Sequence, residues 1–133
     1  ARAIEMSSCG RIIDNLEGGL EGEVAERGAT FSTGERQLLA IARALAADPA
    51  LVILDEATAS VDSATEAAIE EATRNLLKGR SALVVAHRLS TIRRADEILV
   101  LHHGQIRERG THAELLGQGG LYAKLHELQF TAA

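Results

Sequence analysis

A single cysteine, Cys9, stands among the 133 residues, so no disulfide can form within the chain, a usage that suits a reducing compartment. Long apolar runs are missing as well. The longest, around Leu38 to Ala42 and Ala82 to Ala86, fall far short of the roughly 20 residues a membrane-spanning helix needs, so no segment is expected to cross a bilayer. There is no charged-then-apolar leader at the start, and the chain opens inside helical-looking sequence, which predicts an internal piece of something longer. Positive charge is scarce: the formal net charge of −5 argues against broad electrostatic attraction to nucleic acid or acidic lipid. Arg93 and Arg94 read as a solvated helix face. Internal repeats, low-complexity tracts and linkers are also lacking. What is present, 46% hydrophobic residues, is too apolar for disorder and enough for the core of one modest domain.

Apolar spacing and breakers divide the chain. Ile4, Ile12, Ile13 and Leu16 suggest short helical pieces, interrupted at Ser7 to Gly10 and again at Gly18, Gly19 and Gly22. That glycine cluster resembles a phosphate loop only superficially, because Glu17, Glu21 and Glu23 would repel a phosphate and no lysine follows. Ser32 and Glu35 fit a capping box, and Leu38, Ile41, Ala42 and Leu45 recur at helical spacing until Asp48-Pro49 stops the helix. Leu51 to Leu54 reads as a strand buried on both faces, and Ala82 to Ala86 as a second one ending at His87. Between them Ser63 and Glu66 open a helix that runs through Leu77, with Gly79 in its C-terminal turn. Glu97 to His102 and Gln105 to Arg109 flank His103-Gly104 as a hairpin. Thr111 and Glu114 cap a short helix, and a last helix carries Leu121, Leu125 and Leu128. This order predicts an α/β layered domain.

Chemistry concentrates where that order places loop ends. Ligands of parallel sheets bind beyond the carboxyl ends of the strands, which is where Asp55 and Glu56 fall. Adjacent residues leaving a strand point in different directions, so one acid can hold a hydrated magnesium ion while its neighbour faces an attacking water. An acidic strand-to-loop turn is the plainer alternative. Ser32 and Gly34 lie at a helix N-terminus, where unpaired N–H groups and the dipole favour an anion and a missing Cβ lets backbone approach; simple capping by Ser32 is compatible with this. His87, after a strand end, is suited to hydrogen-bond a phosphate and orient water. His102 and His103, neighbours on an expected strand, should face opposite ways and share no metal, while His112 and His126 read as exposed.

In combination these segments resemble the C-terminal part of the nucleotide-binding domain of an ATP-binding cassette (ABC) transporter, over nearly the whole chain. Phe31-Ser-Thr-Gly-Glu-Arg-Gln resembles the signature motif, Leu51 to Glu56 the Walker B strand, Ala59-Ser-Val-Asp62 the D-loop and Ala86-His87-Arg88 the switch-histidine segment. The resemblance implies a partial P-loop NTPase (RecA-like) layered sheet with part of the helical subdomain. Residues up to about 48 would be the signature part, and about 49 to 133 the Walker B, D-loop, switch-histidine and C-terminal part. It implies ATP and Mg as cofactors, with Asp55 holding magnesium through water and Glu56 and His87 as catalytic residues. In this family two such domains pair head to tail, so Ser32, Thr33, Gly34 and Glu35 would serve a partner's ATP and Asp62 the dimer contact. Glu23-Val-Ala-Glu-Arg-Gly28 resembles the loop that meets the transmembrane domains in exporters. The expected whole is therefore an ATPase motor on the cytoplasmic face of a membrane, with a second nucleotide-binding domain and transmembrane domains as partners and no nucleic acid.

Departures from the family pattern shape three further expectations. A phosphate-cradling Gly-x-x-x-x-Gly-Lys-Ser/Thr string is absent, and neither Lys78 nor Lys124 follows a glycine. The adenine-stacking aromatic residue and the glutamine loop are not recognisable either. The isolated chain is thus expected to bind ATP weakly and hydrolyse it slowly or not at all. Within the signature, Thr33 stands where the family usually has glycine and Glu35 where it has glutamine; Glu35 is tolerable beside a phosphate if it turns back to cap the helix. Two alternatives stay open: a soluble ABC-type DNA-repair or chromosome ATPase, or a truncated, non-catalytic cassette that lends its signature face to a partner.

Overall fold

Three helices, those starting at Thr33, Ser63 and His112, begin where a short polar side chain accepts from a backbone N–H. The computed structural model describes residues 2–25, 28–55 and 61–130. They form two compact units, one from the described residues up to Leu54 together with 61–84, the other from Asp55 and 85–130.

In the first unit, α1 (Arg2–Met6), α2 (Gly10–Asp14) and a 3₁₀ turn at Gly19–Glu21 precede α3 (Thr33–Ala47), β1 (Leu51–Asp55), α4 (Ser63–Leu77) and β2 (Ser81–Val85). The expected capping box starts α3: the Ser32 hydroxyl accepts from Glu35 N–H and the Glu35 carboxylate accepts from Ser32 N–H. Helix α3 ends at Asp48, which turns left-handed at φ 46° before Pro49. The Asp48 carboxylate then receives Arg80 at 2.6 Å. At α4 the cap is Asp62, whose Oδ1 accepts from Thr65 N–H at 3.0 Å, rather than the expected Ser63, because the acid one residue earlier holds the extended N-cap backbone.

Leu38, Ile41 and Leu45 of α3 meet Ile69, Ala72 and Leu76 of α4 in one apolar cluster with Cys9, Ile12 and Val52. Asn75 ties α1 to α4 by donating to the Met6 carbonyl at 2.9 Å. Burial pushes the Cys9 thiol up from its ordinary value, so it packs as a neutral group. Strands β1 and β2 are neighbours in a two-stranded sheet. The expectation that both faces are buried is corrected. Val52 and Leu54 pack on the helical cluster, whereas Ile53 is 72% and Leu83 56% exposed, since the helices cover one face only.

The second unit holds α5 (Leu89–Arg93), an antiparallel hairpin of β3 (Ile98–His102) and β4 (Gln105–Gly110), α6 (His112–Gln118) and α7 (Leu121–Phe130). His103 and Gly104 make the hairpin turn with φ 50° and 73°, the positive pair that two-residue turns require. His103 therefore sits in the turn instead of continuing the strand, and its ring lies edge-on to His102 at 4.1 Å, not on the opposite face. Val100, Leu115 and Tyr122 form the core, with Ile92, Ile98 and Leu121 around it. Thr111 and Glu114 close the expected capping box on α6. Helix α7 carries the three leucines as expected; among its described side chains Tyr122 is buried, while Leu125 and Leu128 are exposed. The cause is Glu108 on β4, whose carboxylate accepts the N–H groups of Leu121 and Tyr122 and so sets the helix's rotation. His112, against Tyr122, and His126 are both half-buried, not exposed as expected. Among the described residues no helix is long and apolar enough to cross a membrane.

Candidate nucleotide-binding site

The first turn of α3 is held by three side chains. Glu35 Oε2 accepts from Ser32 N–H at 2.8 Å and Ser32 Oγ accepts from Glu35 N–H at 3.2 Å, so the carboxylate is turned back on the cap. Arg36 donates to the Phe31 carbonyl at 2.6 Å and to Thr33 Oγ1 at 3.1 Å. Together these bonds fix the backbone from Phe31 to Arg36. Thr33 and Gly34, the first two helical residues, have N–H groups with no acceptor inside the helix, and Ser32 keeps its hydroxyl proton for donation. Such a turn suits an anionic oxygen. Both unusual signature residues are accommodated: Thr33 by Arg36, Glu35 by the cap.

Gly34 is buried against α4. A Cβ there would stand 2.3 Å from Thr65 Cγ2 and 3.2 Å from Val61 Cγ1, so close approach of the two helices is a reason for glycine in addition to access for a ligand. Asp62 Oδ1 accepts from Thr65 N–H, and the proximity of the Thr65 side chain together with that bond holds its pKa below the ordinary 3.8. The structure thus joins Ser32, Thr33, Gly34 and Glu35 to one another and, through Thr65, to Asp62.

Asp55 closes β1 with an exposed side chain, and His87 lies two residues beyond the end of β2, also exposed. Glu56 lies outside the described residues, as do Ala59 and Ser60 of the D-loop segment and Glu26 and Arg27 of the charged loop. Arg36 and Thr65 were not singled out from the sequence. Arg36 was detectable by its helical spacing from Thr33, but the meeting of Thr65 with Gly34 depends on how α3 and α4 pack.

Comparison with known proteins agrees with this geometry. The family model for the ABC transporter matches residues 8–59. An uncharacterised ABC transporter ATP-binding protein, YknV of Bacillus subtilis, is 52% identical over 99% of the chain and 22% of its own length. Over nearly its whole length the chain is thus similar to ABC transporter ATP-binding proteins. An ATP-dependent lipid A-core flippase of Pseudomonas aeruginosa is 54% identical over 96% of the chain and 21% of its own length. A solved bacterial Atm1-family ABC exporter with ATP bound superposes with TM-score 0.81 and 40% identity, across 97% of this chain and 23% of that one. The chain spans about a fifth of the curated ABC relatives it matches. The α/β fold accords with a partial P-loop NTPase of the exporter type.

Proposed function

We propose that the ABC protein containing this segment hydrolyses ATP with magnesium to drive export across a membrane, from its cytoplasmic face. Supporting this most directly is an exposed Asp55 at the end of β1, immediately before Glu56, in a chain 52% identical to an ABC ATP-binding protein over 99% of its length. Asp55 is a hard, anionic oxygen donor open to solvent, which fits a hydrated magnesium ion. When bound, that ion supplies neutralisation of phosphate charge. Glu56 accepts a proton from the attacking water, and His87 hydrogen-bonds the terminal phosphate and orients that water.

The turn from Ser32 to Glu35 serves the ATP of a second nucleotide-binding domain paired head to tail: the Thr33 and Gly34 N–H groups and the Ser32 hydroxyl donate to phosphate oxygens. Asp62 lies at the contact between those domains, and the loop from Glu23 to Gly28 meets the transmembrane domains. Residues up to about 48 make up the signature part, and about 49 to 133 the remainder. Without a phosphate-cradling lysine string, this 133-residue segment alone hydrolyses ATP slowly or not at all.

Glu56→Gln in the complete protein tests the assignment. ATP binding should survive while turnover falls about 10²- to 10⁴-fold, because the amide cannot take the proton. Unchanged turnover would remove Glu56 from the reaction.

A further inference from the structure

Glycine is a poor residue for the first turn of a helix, so its presence at Gly34 asks for a cause. Part of that cause is visible inside the first unit. Gly34 is buried, and the position its Cβ would take is already filled by the methyl group of Thr65, 2.3 Å away, with Val61 Cγ1 at 3.2 Å. Thr65 has little freedom to yield. Its side chain is β-branched, and its N–H is engaged by the Asp62 carboxylate. Two helix N-termini, each carrying a residue that the proposed function assigns to nucleotide or dimer contacts, therefore meet at one methyl group.

We infer that Thr65 is a positioning residue: its N–H holds the Asp62 carboxylate while its methyl seats against Gly34, so the signature turn and the D-loop carboxylate move as one body. This rests on the proposed role of the signature turn in ATP binding. The expected consequence is coupling. Whatever shifts Asp62 on formation of the domain pair shifts α4 at Thr65, and with it the Thr33 and Gly34 N–H groups that face the partner's phosphate. Glycine at 34 is then needed for the fit to Thr65 and not only for room at the phosphate.

A double-mutant cycle in the complete protein separates these causes. Gly34→Ala should lower kcat/KM for ATP about a hundredfold, since the added methyl must displace the turn by about 1 Å. Placed in a Thr65→Ser background, which deletes the obstructing methyl and keeps the hydroxyl, the same Gly34→Ala change should cost at least about tenfold less. An equal loss in both backgrounds would overturn the role of Thr65 and leave the glycine requirement at the nucleotide. A Gly34→Ala protein that melts at a lower temperature with kcat and KM unmoved would instead remove the signature turn from ATP chemistry, and the inference with it. If Gly34→Ala does not fold, Thr65→Ser alone decides: without the methyl the signature turn loses its seat against α4 and kcat should fall several-fold relative to the parent, whereas unchanged kcat would overturn the link.

Discussion

Among the described residues, the unit built on α3 and α4 buries nine residues in one apolar cluster, whereas the unit built on the β3–β4 hairpin buries only three. The smaller core is supplemented by directed bonds. Glu108 caps α7, Thr111 and Glu114 cap α6, His112 meets Tyr122 at 2.6 Å, and Arg109 pairs with Glu97 at 2.6 Å. Apolar burial is indifferent to geometry at the scale of a bond and to protonation, while hydrogen bonds depend on both. The first unit can therefore carry helix N-termini whose polar groups are turned toward function. In the second, the polar groups of the hairpin and of α6 and α7 are occupied in holding those elements, and only its margin at Asp55 and His87 carries exposed groups assigned to function.

Core truncation should produce the largest effects and narrow the contrast. Leu76 and Leu115 are fully buried, one in each cluster. Leu→Ala at such sites costs about 2–5 kcal/mol, the spread reflecting how far the surroundings collapse into the cavity. We expect Leu115→Ala to abolish amide protection throughout α6 and α7, because among the described residues of this unit Val100, Leu115 and Tyr122 are the one buried apolar cluster. Leu76→Ala should weaken protection in α3 and α4 without abolishing it. Hydrogen exchange in the complete protein measures both. Greater damage from Leu76→Ala would reverse the comparison.

Replacement of the α7 cap comes next. Glu108→Ala leaves the N–H groups of Leu121 and Tyr122 without their acceptor, a loss of about 1.5–3 kcal/mol for bonds to a charged group, while Glu108→Gln keeps one acceptor and should cost roughly half as much. Gly120 belongs to the same device, since a Cβ there would collide with the Glu108 carboxylate. The readout is exchange of the α7 amides, with those of α3 as an internal reference. Equal protection in Glu108→Ala and the parent would show that Tyr122 packing alone fixes the helix.

How much of this was legible depends on the range of the interaction. Ser32 with Glu35, Thr111 with Glu114, the stop at Asp48-Pro49 and the turn at His103-Gly104 are set by residues three or fewer apart, and each stands where expected. Competition between neighbours was harder: Asp62 and Ser63 both suit an N-cap, and the acid won. Surface assignment on β1 failed because an unbroken apolar run does not say which face is covered. On α7 the leucine spacing announced a helix, but that Tyr122 is its buried side chain depends on Glu108, on a strand thirteen residues before Leu121. At the candidate site the motifs were visible from residue order, but the reason for Gly34 lies in Thr65, which only packing reveals.

The smallest expected effect is one of pH, and it tests the comparison where the two units differ most in kind. Burial, and then the positive charges of Arg93 and His126, hold the His112 pKa below its ordinary 6.5. An unfolded chain therefore takes up this proton at a higher pH than the folded one, and stability rises with pH across that interval. His112 thus contributes fully above about pH 6.5 and progressively less as the pH falls below it. The loss is modest because the link to Tyr122 survives protonation: neutral Nδ1 accepts from the phenol, and the imidazolium donates to it. Asp62 and Glu114 act in the same sense but at lower pH: contacts with Thr65 and Thr111 hold their pKa values below 3.8 and 4.5, so their contributions are intact until the pH falls much further. Between about pH 7 and about pH 5.5, after correction for intrinsic exchange, amides of α6 and α7 should lose protection while those of α3 and α4 keep theirs. A parallel loss in both units would mean that the polar second core is not the pH-sensitive one. The loss in α6 and α7 should disappear in His112→Asn, which removes the titrating ring while leaving the α6 capping box in place.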